Sequence, residues 1–292
     1  MNFRSNTIVD YRERLNRVLV YIQENIDSPL TLQTLAGIAC FSPFHFHRIF
    51  TAFVGETLSE YIKRVRLERA ALKLCYTDLP VTDIALSAGY ETPAAFSKAF
   101  RQYFGRSPSE FRKLKNPETA SSRNTMDSDY PKRVVKTMKP EIHTISDQKV
   151  LFVRRTGRYD RAASEAWGVL MKFAYSRKLM KKGTKMIGIS YDSPEITSED
   201  RLRYDACITM NEDIKPEGEI GVQTIPGGRY AVFLHRGPYE KFNETYGAIF
   251  SVWLPQSKES LRDAPVFEVY LNRDPRRTKP ENLRTEIWVP VE

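Results

Sequence analysis

Carboxylates set among aromatic residues could hold an organic cation, and two such groupings occur near the end of this chain. In Val266-Phe267-Glu268-Val269-Tyr270 the alternation of a strand puts Glu268 and Tyr270 on one face, and in Glu286-Ile287-Trp288 it does the same for Glu286 and Trp288. A carboxylate turned inward from a sheet needs a partner. A cation among aromatic rings supplies one, by charge pairing and by cation–π attraction of roughly 0.5–2 kcal/mol. Tyr239, Phe242 and Trp253 could complete the cage. The alternative is a solvated sheet face where both glutamates pair with Arg or Lys, the aromatic stripe being simply core. Cys40, Cys75 and Cys207 are scattered, with no CxxC and no Cys/His ligand spacing, so buried thiols are expected, with no metal site and no cofactor.

A second set of residues could read nucleic acid. Ser42-Pro43-Phe44-His45-Phe46-His47-Arg48-Ile49-Phe50 opens like a helix, with Ser42 as N-cap and Pro43 at the first helical position, where a missing N–H costs nothing. Phe46 and Phe50 should face a core, leaving Phe44, His45, His47, Arg48 and Thr51 outward. Fifty residues on, Thr92-Pro93-Ala94-Ala95-Phe96-Ser97-Lys98-Ala99-Phe100 repeats the pattern, with Thr92 as cap and Ala94, Ala95, Ser97, Lys98 and Arg101 outward. The flanks agree: Gly55, Ser59, Glu60 and Tyr61 match Gly105, Ser109, Glu110 and Phe111, and Leu35, Ala36 and Ala39 match Ile84, Ala85 and Ala88. One such helix alone is ordinarily a solvated surface helix; its duplication argues for more. A helix of this size fits the major groove, where Arg and Lys read guanine and small apolar groups touch the thymine methyl. Two of them, held by one linking helix over residues 60–76, could enter successive grooves about one turn apart.

The remaining sequence supplies the frame. A length of 292 residues suggests two domains. The net charge of +9 is densest early: residues 1–115 carry 16 Lys+Arg against 11 Asp+Glu, and residues 141–292 carry 24 against 22. The N-terminus has no apolar signal-like region and no apolar run approaches the ~20 residues of a bilayer span, so a cytoplasmic protein without a membrane partner is expected. Residues 116–130 are rich in Ser, Thr and Asn and read as linker, which divides the chain into a domain over 8–115, a linker over 116–138 and a domain over 139–292. The first is helical throughout, with Leu15, Val18, Leu19 and Ile22 on one helix face and Thr31 capping the next helix. In the second, β-rich segments at 150–155, 186–191, 204–210, 219–225, 229–235, 266–271 and 285–291 alternate with helices at 160–179 and 240–254. Here too there is a repeat: Gly157-Arg158-Tyr159-Asp160-Arg161 returns as Gly237-Pro238-Tyr239-Glu240-Lys241. The expectation is an α+β domain of two pseudo-symmetric β-α-β-β repeats, with a ligand cleft between them.

The residues 32–50, with Leu35-Ala36, Ser42-Pro43-Phe44-His45, Arg48 and Phe50, resemble the AraC-type DNA-binding domain. So do Gly55 with Tyr61, Arg66 with Ala70, Ile84-Ala85 through Gly89-Tyr90, Phe96 and Phe100, and the closing Phe104-Gly105-Arg106-Ser107-Pro108-Ser109-Glu110-Phe111-Arg112. The resemblance implies a seven-helix, double helix-turn-helix domain that binds double-stranded DNA, with RNA polymerase as a further expected partner. It makes Arg48 the direct base reader, whereas the Ala- and Ser-rich second helix should contribute phosphate contacts and shape. The later half, in Arg236–Phe242, Trp253-Leu254-Pro255, Phe267–Asn272 and Leu283–Val291, resembles the GyrI-like (SbmC-like) effector-binding domain. In relatives that bind lipophilic cationic drugs, acidic residues on the matching late strands sit in the pocket, which implies Glu268 and Glu286 here. The first repeat departs from this, with Ile187-Gly188 where Glu268 would fall and Asp205 where Glu286 does. Together the resemblances imply a transcription regulator responsive to a small-molecule effector, connected with multidrug response. The alternative is a GyrI-like hydrolase, with a buried glutamate as general base, or a protein-binding module tethered to DNA. No nucleophile–base–orienter set is readable, so no enzymatic activity is expected.

Overall fold

Hydroxyl caps and glycine stops set the helical unit. In the computed structural model, which describes residues 3–115, 139–210, 214–272 and 274–292, the first unit consists of α1 (Phe3–Glu24), α2 (Leu32–Ile38), α3 (Pro43–Val54), α4 (Leu58–Tyr76), α5 (Val81–Ser87), α6 (Pro93–Phe104) and α7 (Pro108–Lys115). The expected linker over 116–138 lies outside the described residues. At α3 the Ser42 hydroxyl accepts from the His45 N–H at 3.4 Å, and at α6 Thr92 accepts from the Ala95 N–H at 3.2 Å. Both helices stop at a left-handed glycine, Gly55 at φ +83° and Gly105 at φ +73°, a conformation glycine adopts without a Cβ penalty. A reciprocal capping box opens α4: Glu60 N–H donates to the Thr57 hydroxyl at 3.3 Å, and Thr57 N–H donates to Glu60 Oε2 at 2.9 Å.

Each helix pair carries its own aromatic core. Phe46 and Phe50 are fully buried with Leu15, Val18 and Ile22 of α1, Leu35 of α2, and Tyr61 and Val65 of α4. Phe96 and Phe100 are equally buried, and the Phe100 ring meets Phe111 of α7 edge-on at 5.3 Å. No helix among the described residues is long and apolar enough to cross a membrane.

The second unit is one eight-stranded sheet with helices packed on it, antiparallel from β1 at one edge through to the β4/β2 pair. Its elements are β1 (Glu141–Ile145), β2 (Gln148–Thr156), α8 (Tyr159–Ser176), β3 (Met186–Ser190), β4 (Arg203–Thr209), β5 (Gly221–Ile225), β6 (Gly228–Arg236), α9 (Phe242–Ala248), β7 (Phe267–Tyr270) and β8 (Arg284–Val291). The spatial order β1-β6-β8-β7-β3-β4-β2-β5 is that of two matching halves meeting at the β3/β7 pair. Each half reads β-α-β-β, as expected, behind one extra leading strand. Those leading strands are exchanged: β1 pairs with β6 of the other half, and β5 lies beside β2. The sequence reading missed β1, a solvent-facing edge strand whose first four residues are all exposed and so show no apolar alternation. It also expected one helix over 240–254. The chain there runs from α9 through a π-helical turn at Ile249–Trp253 into the short Leu254–Gln256 segment.

Candidate functional site

Strand register decides which side chains can meet, because residues directly opposite each other on paired strands share a face. Gly188 of β3 pairs with Glu268 of β7, and Glu268 in turn with Ile287 of β8; Ser190 pairs with Tyr204 of β4. Glu268, Tyr270, Ser190 and Tyr204 therefore project from one face at the meeting line of the two halves. On that face α8 packs against β2 and β4, and the Tyr246, Ile249 and Trp253 side chains pack over Phe233, Ile287 and Val289.

Glu268 is 2% exposed. Its Oε1 accepts hydrogen bonds from the Tyr246 hydroxyl and from Ser190 Oγ, the latter at 3.3 Å, while its buried Oε2 accepts none among the described residues. The surroundings are aromatic. Trp167 Nε1 donates to the Tyr204 hydroxyl at 2.9 Å, and the Tyr204 and Tyr270 hydroxyls lie 3.0 Å apart. The Tyr270 ring is met edge-on by Trp167 at 5.7 Å and by Tyr239 at 5.5 Å, and Phe242 lies 5.4 Å from Tyr239 and 6.4 Å from Tyr246. Burial pushes the Glu268 carboxyl up to about 7, against the lowering pull of the Tyr246 and Ser190 hydroxyls. Burial likewise raises the phenols of Tyr204, Tyr246 and Tyr270, and lifts Tyr239 to about 12, so these groups are neutral donors at physiological pH. The arrangement is a carboxylate walled by rings, with one oxygen unmet and no cationic side chain hydrogen-bonded to it among the described residues.

Of the seven residues expected to line a cage, the structure brings four together: Glu268, Tyr270, Tyr239 and Phe242. Trp253 stacks edge-on against Phe233 at 4.9 Å and serves the core beneath the helix. Glu286 and Trp288 are a correction. Because Val269 pairs with Glu286 and Phe267 with Trp288, both project from the opposite face to Glu268. There Trp288 Nε1 donates to Glu286 Oε2 at 3.0 Å, and the Trp288 ring stacks on Phe267 at 5.4 Å. The alternation within each strand was right, but it says nothing about the register between strands. Sequence reasoning also missed Tyr246, Ser190, Tyr204 and Trp167. Tyr246 could have been found, since it lies one helical turn beyond Phe242.

The other candidate surface is formed by α3 and α6. Phe44 is 65% exposed, and His45, His47 and Arg48 are exposed with it. The Arg48 guanidinium stacks over the Phe44 ring at 4.5 Å, which holds an otherwise mobile side chain out over the helix surface. The half-buried Thr51 donates its hydroxyl to the His47 carbonyl at 3.0 Å, as the Thr92 hydroxyl is engaged in its cap. On α6, Ala94, Ala95, Lys98 and Arg101 are exposed and Ser97 is half-buried.

Comparison with known proteins agrees with this division. Residues 138–292 match the GyrI-like small molecule binding domain, and residues 35–114 match a helix-turn-helix domain. The chain is 35% identical over 104 residues to Regulatory protein SoxS of Salmonella typhimurium, spanning 36% of this chain and 97% of that protein. It is 21% identical over 285 residues to the Right origin-binding protein of Escherichia coli strain K12, spanning 94% of this chain and 96% of that one. Among solved structures it is similar to the DNA-binding domain of AdpA, a global transcriptional factor in complex with a target DNA. That likeness has 26% identity and a TM-score of 0.34, over 35% of this chain and 92% of that one.

Proposed function

This chain belongs to the GyrI-like small molecule binding family and carries an AraC-type helix-turn-helix DNA-binding domain ahead of it; from that premise we propose that it regulates transcription in response to a small lipophilic cation held at Glu268. One observation carries the reading. A carboxylate 2% exposed, with one oxygen unmet, lies among Tyr270, Tyr239, Phe242 and Trp167. Left ionised in such surroundings a carboxylate is costly, and a cation of low polarity offsets the cost by charge pairing and by contact with the ring faces. Aromatic walls favour ligands recognised by one positive charge and apolar bulk.

A thermal-shift screen of lipophilic cations tests this. A binder should raise the melting point of the wild type and leave Glu268→Gln unmoved, the loss in affinity being on the order of 100-fold for a desolvated charge pair. Equal stabilisation of both proteins would place the ligand elsewhere.

On the DNA side, α3 and α6 are proposed to enter successive major grooves of one duplex, with Arg48 reading base edges and α6 acting through Lys98, Arg101 and shape. Bound there, the protein would present itself to RNA polymerase. Arg48→Ala should reduce discrimination between operator variants by about 1–3 kcal/mol at the base pair it reads. Competition binding with single-base operator variants measures this, and unchanged discrimination would remove Arg48 from the base-reading role.

A further inference from the structure

We propose that a buried chain of charges centred on α4 fixes the angle between α3 and α6, and thereby the spacing of the two DNA segments the protein accepts. The proposal rests on the reading that both helices engage one duplex. Arg64 of α4 is 4% exposed at its side chain. Its Nε and Nη2 donate to Glu56 Oε1 at 3.1 and 2.6 Å. Glu56 lies in the turn between Gly55, which ends α3, and Thr57, which caps α4. One helical turn on, Arg64 Nη1 donates to Glu68 Oε2 at 3.0 Å, and Glu68 Oε1 accepts from the Tyr103 hydroxyl at 2.9 Å. Tyr103 is in the last turn of α6, one residue before its end. Four side chains thus run without a break from the exit of the first reading helix to the end of the second.

The chemistry of this chain suits an angle-setting role better than a stabilising one. Glu56 and Glu68 are 9% and 4% exposed at their side chains, so water and salt screen the pairs weakly. Buried pairs gain little net stability over apolar side chains of the same size, because desolvation offsets their attraction. They are strongly directional, however: a planar guanidinium bound in a fork to one carboxylate and singly to another accepts few relative orientations. The aromatic cores hold each unit together internally, through Phe46 and Phe50 in one and Phe96, Phe100 and Phe111 in the other. The Tyr103 ring is 40% exposed, so burial alone does not fix it. The internal repeat sharpens the point. The residue matching Tyr103 in the first copy is Phe53, 41% exposed, so the hydroxyl that closes the chain belongs to the second copy alone.

Inserting one base pair between two contacted segments rotates the second by about 35° around the duplex axis, which a rigid pair of helices follows poorly. The test uses the full chain and a duplex site selected by the wild type from a random pool. Dissociation constants are measured for that site, for the site with one base pair inserted between its protected segments, and for a site with the second segment scrambled. The wild type should lose about tenfold or more on insertion, while Tyr103→Phe should lose about threefold or less, with its affinity for the scrambled site unchanged. Glu68→Ala, which removes the acceptor of the Tyr103 hydroxyl and so cuts the same link from the other side, should behave alike. An insertion penalty in Tyr103→Phe equal to that of the wild type overturns the proposal. So does an equal loss on the scrambled site, which would mark a mere folding defect. If the wild type itself tolerates the insertion, the two-groove reading fails first and takes the proposal with it.

Discussion

Glu268→Gln should melt at a higher temperature than the wild type at pH 8 and at the same temperature near pH 4. The carboxyl of Glu268 is pushed by burial from 4.5 up to about 7, so the folded protein holds this proton more tightly than the unfolded chain does. The sign follows from linkage: the stability that the proton supplies is fully present below about pH 4.5 and is lost as pH rises toward about 7. Above that window the folded state carries an ionised, incompletely partnered carboxylate, at a cost of about 3 kcal/mol for a shift of this size. Glutamine removes the charge while its carbonyl oxygen can still accept from Tyr246 and Ser190, which donate to Oε1 in the wild type. For a unit of this size, about 3 kcal/mol corresponds to roughly 6–12 °C. Tryptophan fluorescence follows this unit alone, since all three tryptophans, Trp167, Trp253 and Trp288, lie in it. A gain that is the same at both pH values, or a loss at pH 8, would defeat the argument. A bound cation should reverse the balance. Its stabilisation of the wild type should grow as pH rises through about 7, because it pairs with the ionised form.

What the sequence made legible was local, and what it concealed was long-range. The starts of α3 and α6 are written in consecutive residues, a hydroxyl cap followed by proline, and their ends in a single glycine, so both helices could be placed and their outward residues assigned. The buried Phe46/Phe50 and Phe96/Phe100 pairs follow from helical spacing alone. Strand alternation, which is also local, put Glu268 on the face of Tyr270, and left open whether that face is buried or solvated. The face of Glu286 was not legible, because it depends on the pairing of Val269 with Glu286 across β7 and β8, a one-residue matter of register. The groups around Glu268 come from separate elements: Tyr246 on α9 and Ser190 on β3 donate to it, while Trp167 on α8 holds Tyr204 of β4, whose hydroxyl meets that of Tyr270. Nothing in the spacing of those residues announces that they converge. The exchange of β1 and β5 between halves was equally hidden: β1, with solvent on its side chains, carries no apolar pattern, and the legible strand β5 does not announce which strand it lies beside.

Gly188 leads to the second large expected effect. It stands directly across from Glu268, and its backbone leaves the space above it to two phenols. A Cβ built there would come within 2.6 Å of both the Tyr204 and Tyr270 hydroxyls and 3.0 Å of Glu268 Oε2. Glycine in the middle of a strand ordinarily costs about 0.5–1 kcal/mol relative to alanine, so with open space above it Gly188→Ala would stabilise the sheet. Here the two hydroxyls are hydrogen-bonded to each other, and Tyr204 is held in addition by Trp167 Nε1, so neither ring tip can swing aside without breaking a bond. Overpacking of this kind should make Gly188→Ala less stable by about 2 kcal/mol. A mutant cycle isolates the cause. In a Tyr204→Phe/Tyr270→Phe background the hydroxyls are gone, and the cost of that background, including the acceptor lost to Trp167, cancels in the comparison. There the alanine should cost nothing or become favourable, a coupling of about 2 kcal/mol in urea unfolding followed by tryptophan fluorescence. A penalty that persists undiminished in the phenylalanine background would show that the strand needs glycine for its own backbone, and that the hydroxyls do not occupy the space its missing side chain leaves.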